Sequence, residues 1–390
     1  MKSFIDENGN KHYAKEQLAS DKQGVLYLTR GEGVVICDAS NSEEDNQKYI
    51  DAKLLPLESV ENVIMPSLYL KEPSVGYVML LPKDFSPLSD LLSPEENKQE
   101  FYTKTGGLKR RLLLMAELAK TFHILHSLPC MYGRLSPHRV FVPNDNDKTE
   151  TLLLYSINMT ATMPFSSEAD ANGYTAPESK NGMATIRSDV YSFSKLAYDV
   201  LTLNGAFSDI VDNSSHLADM LALAASDDPN SRPMMPDIYK SLLQLRDMLV
   251  SCQDCRRDFV YVGKRCPFCK KRLAKMLKAK IIDVVEDRKI ERGNKMFELT
   301  PGVQQCFWSY HTEHILFRDS IEPSIGCMAG ISSSKKLRFI IKNLMQKDLN
   351  VNEKILAPTE TIAIPLPSGI INISFPLYSL VYRHIEMVIE

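Results

Sequence analysis

Two Cys-x-x-Cys pairs constrain the fold of this chain more than any other feature. Cys252 and Cys255 form the first pair, Cys266 and Cys269 form the second, and ten residues separate the pairs. Two such pairs supply four thiolates, the donor set that a structural zinc ion takes in tetrahedral geometry. A segment too small for a core of its own can fold around such a metal. The spacing fits a short hairpin, so the sequence predicts a zinc ribbon over 250–280, with Zn²⁺ as a structural cofactor.

The other cysteines and the apolar segments indicate where the protein works. Four further cysteines are scattered, at Cys37, Cys130, Cys306 and Cys327. Eight cysteines in 390 residues are too few for a disulfide framework and suit a reducing compartment. Residues 1–17 lack the apolar region of a secretory signal, and prolines and polar residues interrupt the longest apolar stretch, 361–382. We therefore expect a cytoplasmic protein without a membrane partner.

Composition sets the class of the chain. A length of 390 residues corresponds to two or three domains at roughly 150 residues each. Hydrophobic residues make up 44% and charged residues 24%, which fits a globular protein and excludes a disordered or fibrous one. The net charge of −3 favours no class of partner.

Hydrophobic periodicity predicts a small β-rich part followed by a helical part. The β-like runs lie at 24–28, 34–37, 49–55 and 76–81. The helical stretches, each with a broad apolar stripe, lie at 108–128, 188–203 and 234–249. Together they predict a two-lobed α+β domain over 24–249, preceded by an N-terminal extension over 1–23.

Beyond the paired cysteines the pattern changes again. We expect a basic helix over 270–280, followed by a β-rich, sandwich-like domain over 281–390. Its predicted strands lie at 281–285, 295–299, 306–310, 337–341, 360–364 and 370–375.

Three short motifs follow one another in the helical part. Tyr174-Thr-Ala-Pro-Glu178 is followed by Asp189-Val-Tyr-Ser-Phe-Ser and then by Asp228-Pro-Asn-Ser-Arg232-Pro. In this order the motifs resemble the C-terminal lobe of protein kinases. In that family the Glu of Ala-Pro-Glu pairs with a later Arg, which implies an ion pair between Glu178 and Arg232. The family's Asp that opens the long helix and holds the catalytic-loop backbone corresponds to Asp189.

Two features of the β-rich part are similar to a bacterial branch of stand-alone kinase-like proteins. That branch has a Gly-Glu-Gly phosphate loop and an Ala-Lys third strand, which Gly31-Glu-Gly33 and Ala52-Lys53 match. The resemblance implies that Gly31, Gly33 and Lys53 contact a nucleotide such as ATP through backbone N–H groups and a lysine ammonium. A β-turn and a surface lysine are the alternative, and the sequence leaves both open.

The residues that carry kinase chemistry are replaced. The segment 132–142 lies where the family has His-Arg-Asp-Leu-x-x-x-Asn, and Arg134 and Arg139 stand at the Asp and Asn positions. The segment expected to hold Asp-Phe-Gly contains Tyr155 and no acidic residue. Kinases depend on Mg²⁺ held by those Asp and Asn side chains, so we expect no catalytic residue and no magnesium site. A kinase fold without kinase chemistry is a pseudokinase.

Arg134 and Arg139 leave two interpretations open. Their guanidinium groups could bind phosphates bidentately where Mg²⁺ would sit, which would make them nucleotide-binding residues. Alternatively, they form salt bridges that close an inactive cleft.

The segment 256–280 carries ten basic residues and one acidic residue. Such a density would suit contacts to nucleic-acid phosphates. An acidic protein partner and a plain solvated surface are the alternatives.

These observations favour a non-catalytic, kinase-like regulator or scaffold that binds partner proteins in signalling. One alternative is an atypical, active Ser/Thr-kinase-like phosphotransferase that uses ATP and relocated acidic residues, for which Asp145 and Asp147 are the candidates. A second alternative is nucleic-acid binding through the basic zinc ribbon.

Overall fold

Two units make up the chain in the computed structural model, Met1–Leu243 and Gln244–Glu390. Both contain strands, and the first also contains most of the helices, so the predicted mixed α+β class is confirmed. The domain boundaries after residues 249 and 280 stay a prediction. The structure describes residues 2–21, 24–31, 33–39, 57, 60–128, 130–133, 135–156, 159–161, 173–181, 183–212, 215–261, 263–286, 288–299, 301–302, 304–312, 324–332, 337–366, 369–378 and 381–389.

The first unit begins with a closed antiparallel barrel in the order β1, β2, β3, β4, β7, β6. Its strands are β1 (Ser3–Asp6), β2 (Lys11–Asp21), β3 (Gly24–Thr29), β4 (Val34–Ala39), β6 (Pro66–Glu72) and β7 (Gly76–Leu80), while β5 (Val63–Ile64) belongs to another sheet. Phe4, Ile36, Leu70 and Val78 form a buried cluster in this barrel. Residues 1–23, expected to be an extension, thus contribute β1 and β2, because pairing of β1 with β6 is what closes the barrel. The predicted run at 49–55 lies outside the described residues.

The rest of the first unit is mainly helical. Its helices are α1 (Leu88–Leu91), α2 (Lys98–Lys104), α3 (Gly107–Ser127), α4 (Ile186–Thr202), α5 (Asp209–Asp212), α6 (Ser215–Ala224) and α7 (Met235–Asp247), whose last four residues belong to the second unit. The three helices expected from periodicity are confirmed as α3, α4 and α7. A capping box begins α4, where Thr185 accepts from the Arg187 N–H and Ser188 accepts from the Thr185 N–H.

Short strands frame the segment that follows α3. They are β8 (Phe85–Pro87), β9 (Cys130–Met131), β10 (Val140–Pro143), β11 (Leu152–Leu154) and β12 (Thr160–Ala161). One sheet has the order β5, β11, β10, β8, and β12 pairs with β9. Residues 132–139, where the resemblance places the catalytic loop, therefore connect β9 to β10.

The second unit contains a small hairpin and two larger antiparallel sheets. The hairpin pairs β13 (Leu249–Ser251) with β14 (Asp258–Val260). The six-stranded sheet has the order β16, β15, β24, β23, β20, β21, and the four-stranded sheet has the order β17, β18, β19, β22. The strands of these two sheets are β15 (Met276–Val285), β16 (Arg288–Glu298), β17 (Gln304–Trp308), β18 (Ile325–Ile331), β19 (Arg338–Asn343), β20 (Leu349–Val351), β21 (Lys354–Leu356), β22 (Thr361–Pro365), β23 (Ile371–Tyr378) and β24 (Val381–Ile389). A short helix, α8 (Ser309–Thr312), follows β17.

Side chains from both large sheets meet in one buried core. Ile281 and Ile385 enter it from the six-stranded sheet, and Phe307 and Phe339 enter it from the four-stranded sheet. The arrangement is a β-sandwich, in which alternate residues of each strand face the core. All six strands expected in this region from sequence alternation overlap observed strands.

The basic helix expected over 270–280 is wrong. Strand β15 begins at Met276, and it is paired along its length with β16 on one side and β24 on the other. Leu277 and Ala279 face the core, whereas Lys278 is half-buried and Lys280 is exposed. This period of two belongs to a strand, and the lysines that suggested a helix surface occupy its outward positions.

Gly76 provides a test of barrel packing. A Cβ atom there would collide with the carbonyl oxygen of Cys37 on the neighbouring strand. We expect Gly76→Ala to lower the free energy of unfolding by about 1–3 kcal/mol, since overpacking forces the backbone to shift. Urea unfolding followed by circular dichroism measures the loss. The matched control is Gly263→Ala, whose Cβ meets nothing within 4 Å, and equal stability of the two variants would contradict the argument.

Candidate functional site

One buried carboxylate organises the loop between β9 and β10. Asp189 lies in the first turn of α4 and is 1% exposed. Its Oδ2 accepts the backbone N–H of Tyr132 at 2.8 Å, and its Oδ1 accepts that of Gly133 at 2.8 Å. His126 from α3 lies 3.2 Å from the same Oδ2. The loop backbone is therefore held from outside by a side chain 56 residues further along the chain.

Arg139 is the described member of the two arginines that stand where the resemblance places catalytic residues. Its backbone N–H donates to Ser136 at 3.1 Å, and its carbonyl accepts from Leu154 at 2.9 Å. The residue is 6% exposed. Arg134 lies outside the described residues, so the structure tests neither the shared phosphate site nor the salt-bridge alternative for the pair.

Tyr155 stands directly after β11, in the segment where the resemblance places a metal-binding carboxylate. It is 1% exposed, and its ring packs edge-on against Tyr77 with 5.5 Å between centroids. The Tyr155 N–H donates to the carbonyl of Ile64 at 2.9 Å. An aromatic ring buried in this way supplies no ligand for a hard cation such as Mg²⁺, which takes oxygen donors.

Acidic residues in the described part of 130–161 are confined to one exposed loop. They are Asp145, Asp147 and Glu150, all after β10. The Asp145 carboxylate accepts the Asp147 N–H at 3.0 Å, which is a local turn contact of the kind that aspartates commonly make. Asp145 and Asp147 are the candidates for relocated acids under the phosphotransferase alternative, and this loop exposes both to solvent.

Glu178 and Arg232 form a bidentate ion pair. Arg232 donates to the two Glu178 carboxylate oxygens at 2.6 and 2.9 Å, and Ser188 donates to Oε1 at 2.6 Å. Burial alone would raise the pKa of Glu178, but the hydrogen bonds from Arg232 and Ser188 hold it below its ordinary value. Arg232 also donates to the carbonyls of Ser226 and Arg187. The pair fastens the turn at 177–181 to the start of α4.

The glycine-rich turn between β3 and β4 packs against another backbone segment. The carbonyl of Gly33 accepts the Leu81 N–H at 2.6 Å, and a Cβ on Gly33 would collide with the Leu81 carbonyl oxygen. Gly33 also has a φ of +70°, in the region that favours glycine. Close backbone packing therefore accounts for glycine at this position without a bound phosphate. Lys53, the third candidate contact to a nucleotide, lies outside the described residues.

The four paired cysteines converge. Their Sγ atoms all lie within 4.8 Å of one another, with 3.6 Å between Cys252 and Cys269 and 3.6 Å between Cys255 and Cys266. A tetrahedral zinc ion with Zn–S distances of about 2.3 Å places its sulfurs roughly 3.8 Å apart. The four thiols therefore fit the size of such a site and could hold a zinc ion.

The two cysteine pairs sit in matching turns. Arg256 N–H donates to the Cys252 carbonyl at 2.8 Å, and Lys270 N–H donates to the Cys266 carbonyl at 3.0 Å. Arg256 and Lys270, each four residues after the first cysteine of its pair, have φ values of 55° and 64°. The equivalence shows that both Cys-x-x-Cys pairs adopt the same local geometry, although neither turn has the glycine that a positive φ favours.

The basic residues around these turns are mostly exposed, and some of them have local partners. Lys271 pairs with Asp254 at 2.7 Å. Lys280 pairs with Glu291 at 2.9 Å. Arg257 lies over the Phe268 ring, 5.1 Å from its centroid. These contacts are of the kind a solvated protein surface makes, with little net energy in each exposed pair.

The sequence was compared with protein-family models and with curated proteins. No family model and no curated protein matches the chain. In the described part of the chain, none of the helices combines the length and apolarity needed to cross a membrane.

The sequence did not indicate a heavily hydrogen-bonded buried carboxylate in the second unit. Asp247, at the end of α7, accepts from Lys295 at 2.7 Å, from the Tyr310 hydroxyl at 2.6 Å and from His311 Nε2 at 2.8 Å. The Trp308 N–H donates to His311 Nδ1 at 3.0 Å, so the Nε2 atom carries the proton. Burial would raise the pKa of Asp247, yet the charges around it hold that pKa far below its ordinary value. Its partners are 48 to 64 residues away in sequence, beyond the reach of any local pattern.

Asp189→Asn tests the loop anchor. An amide offers one acceptor oxygen and one NH₂ group, so either the Tyr132 or the Gly133 N–H would face a donor. We expect a loss of about 1–3 kcal/mol in the free energy of unfolding, the cost of a buried unsatisfied group. Hydrogen exchange should also accelerate at those two amides.

Asp219→Asn on α6 is the matched control for this substitution. Asp219 is exposed, so its neutralisation should change stability by less than about 0.5 kcal/mol. Unchanged exchange at Tyr132 and Gly133 in the Asp189 variant would show that another group holds the loop.

Proposed function

We propose that this chain is a non-catalytic, kinase-like scaffold that acts by binding other proteins. The proposal rests on a contrast between residues that maintain the fold and residues at the positions expected to bind Mg²⁺. Asp189, Glu178 and Arg232 make the buried contacts that shape the loop and the turn before α4. The positions that would hold Mg²⁺ in an active kinase instead carry Arg139 and Tyr155, both buried.

The chemistry of these replacements supports the absence of phosphoryl transfer. The reaction is accelerated mainly by positioning the nucleotide and by neutralising charge with Mg²⁺. A guanidinium and a phenol ring cannot coordinate that cation, and removal of a general base alone costs about 10²–10⁴-fold in rate. A domain with this framework retains a shaped surface, which suits recognition of protein partners.

We further propose that Cys252, Cys255, Cys266 and Cys269 bind one structural Zn²⁺. Four thiolates leave no open position for a substrate, so the site is of the closed, structural type. Cys252 and Cys266 are buried with Phe259 and Met276 in a small cluster. A cluster of this size gives little stability on its own, so the metal would supply much of the folding free energy of the ribbon.

Metal analysis tests the zinc assignment. We expect a single zinc ion per chain after purification without added metal, and its removal by a strong chelator should unfold the segment 249–273. Cys269→Ser should lower the zinc content well below one ion per chain, because a hydroxyl is a poor ligand for zinc. Cys306→Ser, at a cysteine outside the cluster, is the matched control and should retain the metal. Zinc-free wild-type protein would refute the assignment.

A phosphoryl-transfer assay tests the scaffold proposal. With Mg²⁺ and γ-labelled ATP, the full chain should neither label itself nor form ADP above the buffer background. Lys53→Met is the matched variant and should behave identically, since no reaction depends on Lys53. ADP formation that this substitution abolishes would refute the scaffold proposal and establish the atypical phosphotransferase.

ATP binding is measured separately by the melting temperature in magnesium-free buffer. A chelator is left out because it would also remove zinc from the cysteines. Saturation at 100 times the dissociation constant would add about 2.7 kcal/mol to stability. We expect no shift, because close packing against Leu81 already accounts for the glycine at position 33.

A further inference from the structure

A polar cleft lies on the outer face of the six-stranded sheet, wholly within the second unit. It has a volume of about 480 Å³, within the usual range for small-molecule sites. Its lining residues are Asn350, Asn352, Glu353, Asn372, Ser374 and His384. They come from β20, from the turn after it, from β23 and from β24. The strand register places Asn350 beside Ser374 and Ser374 beside His384.

The residue types of the cleft are unusual for strands. Asparagine is depleted in β-strands, yet Asn350 and Asn372 lie within β20 and β23 and face outward, while Val351 and Ile373 fill the core. A sequence that departs from local preference without a gain in packing marks a functional position. The side chains of Asn350 and Asn372 contribute nothing to the core.

The turn after β20 departs from preference in a second way. Asn352 and Glu353 have φ values of 47° and 67°, a conformation for which Asn-Gly is the favoured pair in a two-residue hairpin. Glu353 therefore occupies a position suited to glycine, and it is one of the residues that line the cleft. Asn352 is fixed there, because its side-chain oxygen accepts the Asn372 N–H at 2.8 Å and its own N–H donates to the Asn372 carbonyl at 2.9 Å.

The lining offers neutral hydrogen-bonding groups. Ser374 Oγ lies 2.8 Å from His384 Nδ1. Burial and the nearby charge of Lys289 lower the pKa of His384, so its imidazole is neutral at pH 7. Glu353 is the single charged lining residue, and no lysine or arginine lines the described cleft. Such a set suits a ligand with several hydroxyl groups and offers no lysine or arginine to neutralise an anion.

Tyr382 extends the cleft with an apolar surface. It lies two residues before His384 on β24, and their ring centroids are 6.4 Å apart. Residues two apart on a strand share a face, and Tyr382 is 44% exposed. The phenol ring can cover the C–H face of one pyranose ring of an oligosaccharide while the amides contact the hydroxyls of another. A peptide that adds a strand needs a sheet edge, whereas β23 and β24 are interior strands of their sheet.

We propose that this cleft binds a neutral saccharide. Asn350 and Asn372 are exposed, and each carboxamide can donate to one sugar hydroxyl and accept from another. Ser374 and His384 are the half-buried lining residues, and the exposed Glu353 carboxylate can accept a hydrogen bond from a sugar hydroxyl. The cleft is independent of the proposed scaffold function, since it lies wholly in the second unit.

Saturation-transfer NMR on the full chain tests this proposal. The probes are glucose, galactose, mannose, N-acetylglucosamine and their 1,4-linked disaccharides, each at up to about 20 mM. We expect at least one to bind with a dissociation constant in the millimolar range or below. Asn372→Ala should weaken that binding at least tenfold, which corresponds to about 1.4 kcal/mol, and Asn350→Ala should give a similar loss.

Asn230→Ala is the matched control, since Asn230 is exposed in the first unit and its removal should leave affinity unchanged. Circular dichroism checks that each variant is folded. Absence of binding by every probe would overturn the proposal. So would binding that both cleft variants retain. Binding that fades with salt and depends on Glu353→Gln alone would indicate a cationic ligand and would overturn it as well.

Discussion

The loop between β9 and β10 depends on one buried carboxylate. Asp189 holds Tyr132 and Gly133 by their backbone N–H groups, and a charge this deeply buried is tolerated only where donors surround it. Its place in the first turn of α4 adds favourable electrostatics, because helix N-termini stabilise negative charge. Once the loop is fixed in this way, the position of Arg139 follows from its backbone bonds to Ser136 and Leu154.

The second unit uses the same principle at Asp247. Its carboxylate ties the end of α7 to Lys295 on β16 and to Tyr310 and His311 on α8. Removal of any one partner would leave a buried charge with fewer donors, the most costly kind of core change. Buried polar groups of this type specify a single arrangement, whereas the apolar core of the sandwich tolerates exchange between residues of similar volume.

The proposed functions separate along these structural lines. Asp189, Glu178 and Arg232 make buried framework contacts, while Arg139 and Tyr155 stand where the proposed kinase resemblance would place metal ligands. The scaffold proposal rests on this contrast. The cleft shows the opposite relation at two of its residues, because the exposed carboxamides of Asn350 and Asn372 add nothing to the core and can contact a ligand. The polar atoms of a framework residue form hydrogen bonds within the fold, whereas those of a recognition residue are exposed to solvent.

The sequence by itself determined what depends on neighbours along the chain. Helices α3, α4 and α7 follow from a period of 3.6, and the cysteine spacing alone predicted a cluster that could hold zinc. Tertiary structure decided what depends on distant partners. The pairing of β1 with β6 closes the barrel. Residues 276–285 form strand β15 through pairing with β16 and β24, although the basic composition of 270–280 suggested a helix. The contacts of Asp247 and the cleft around Asn372 each involve residues tens of positions apart in sequence, so no local sequence pattern predicts them. Periodicity is a property of a single segment, whereas burial and hydrogen-bond partnership are properties of the whole packed chain.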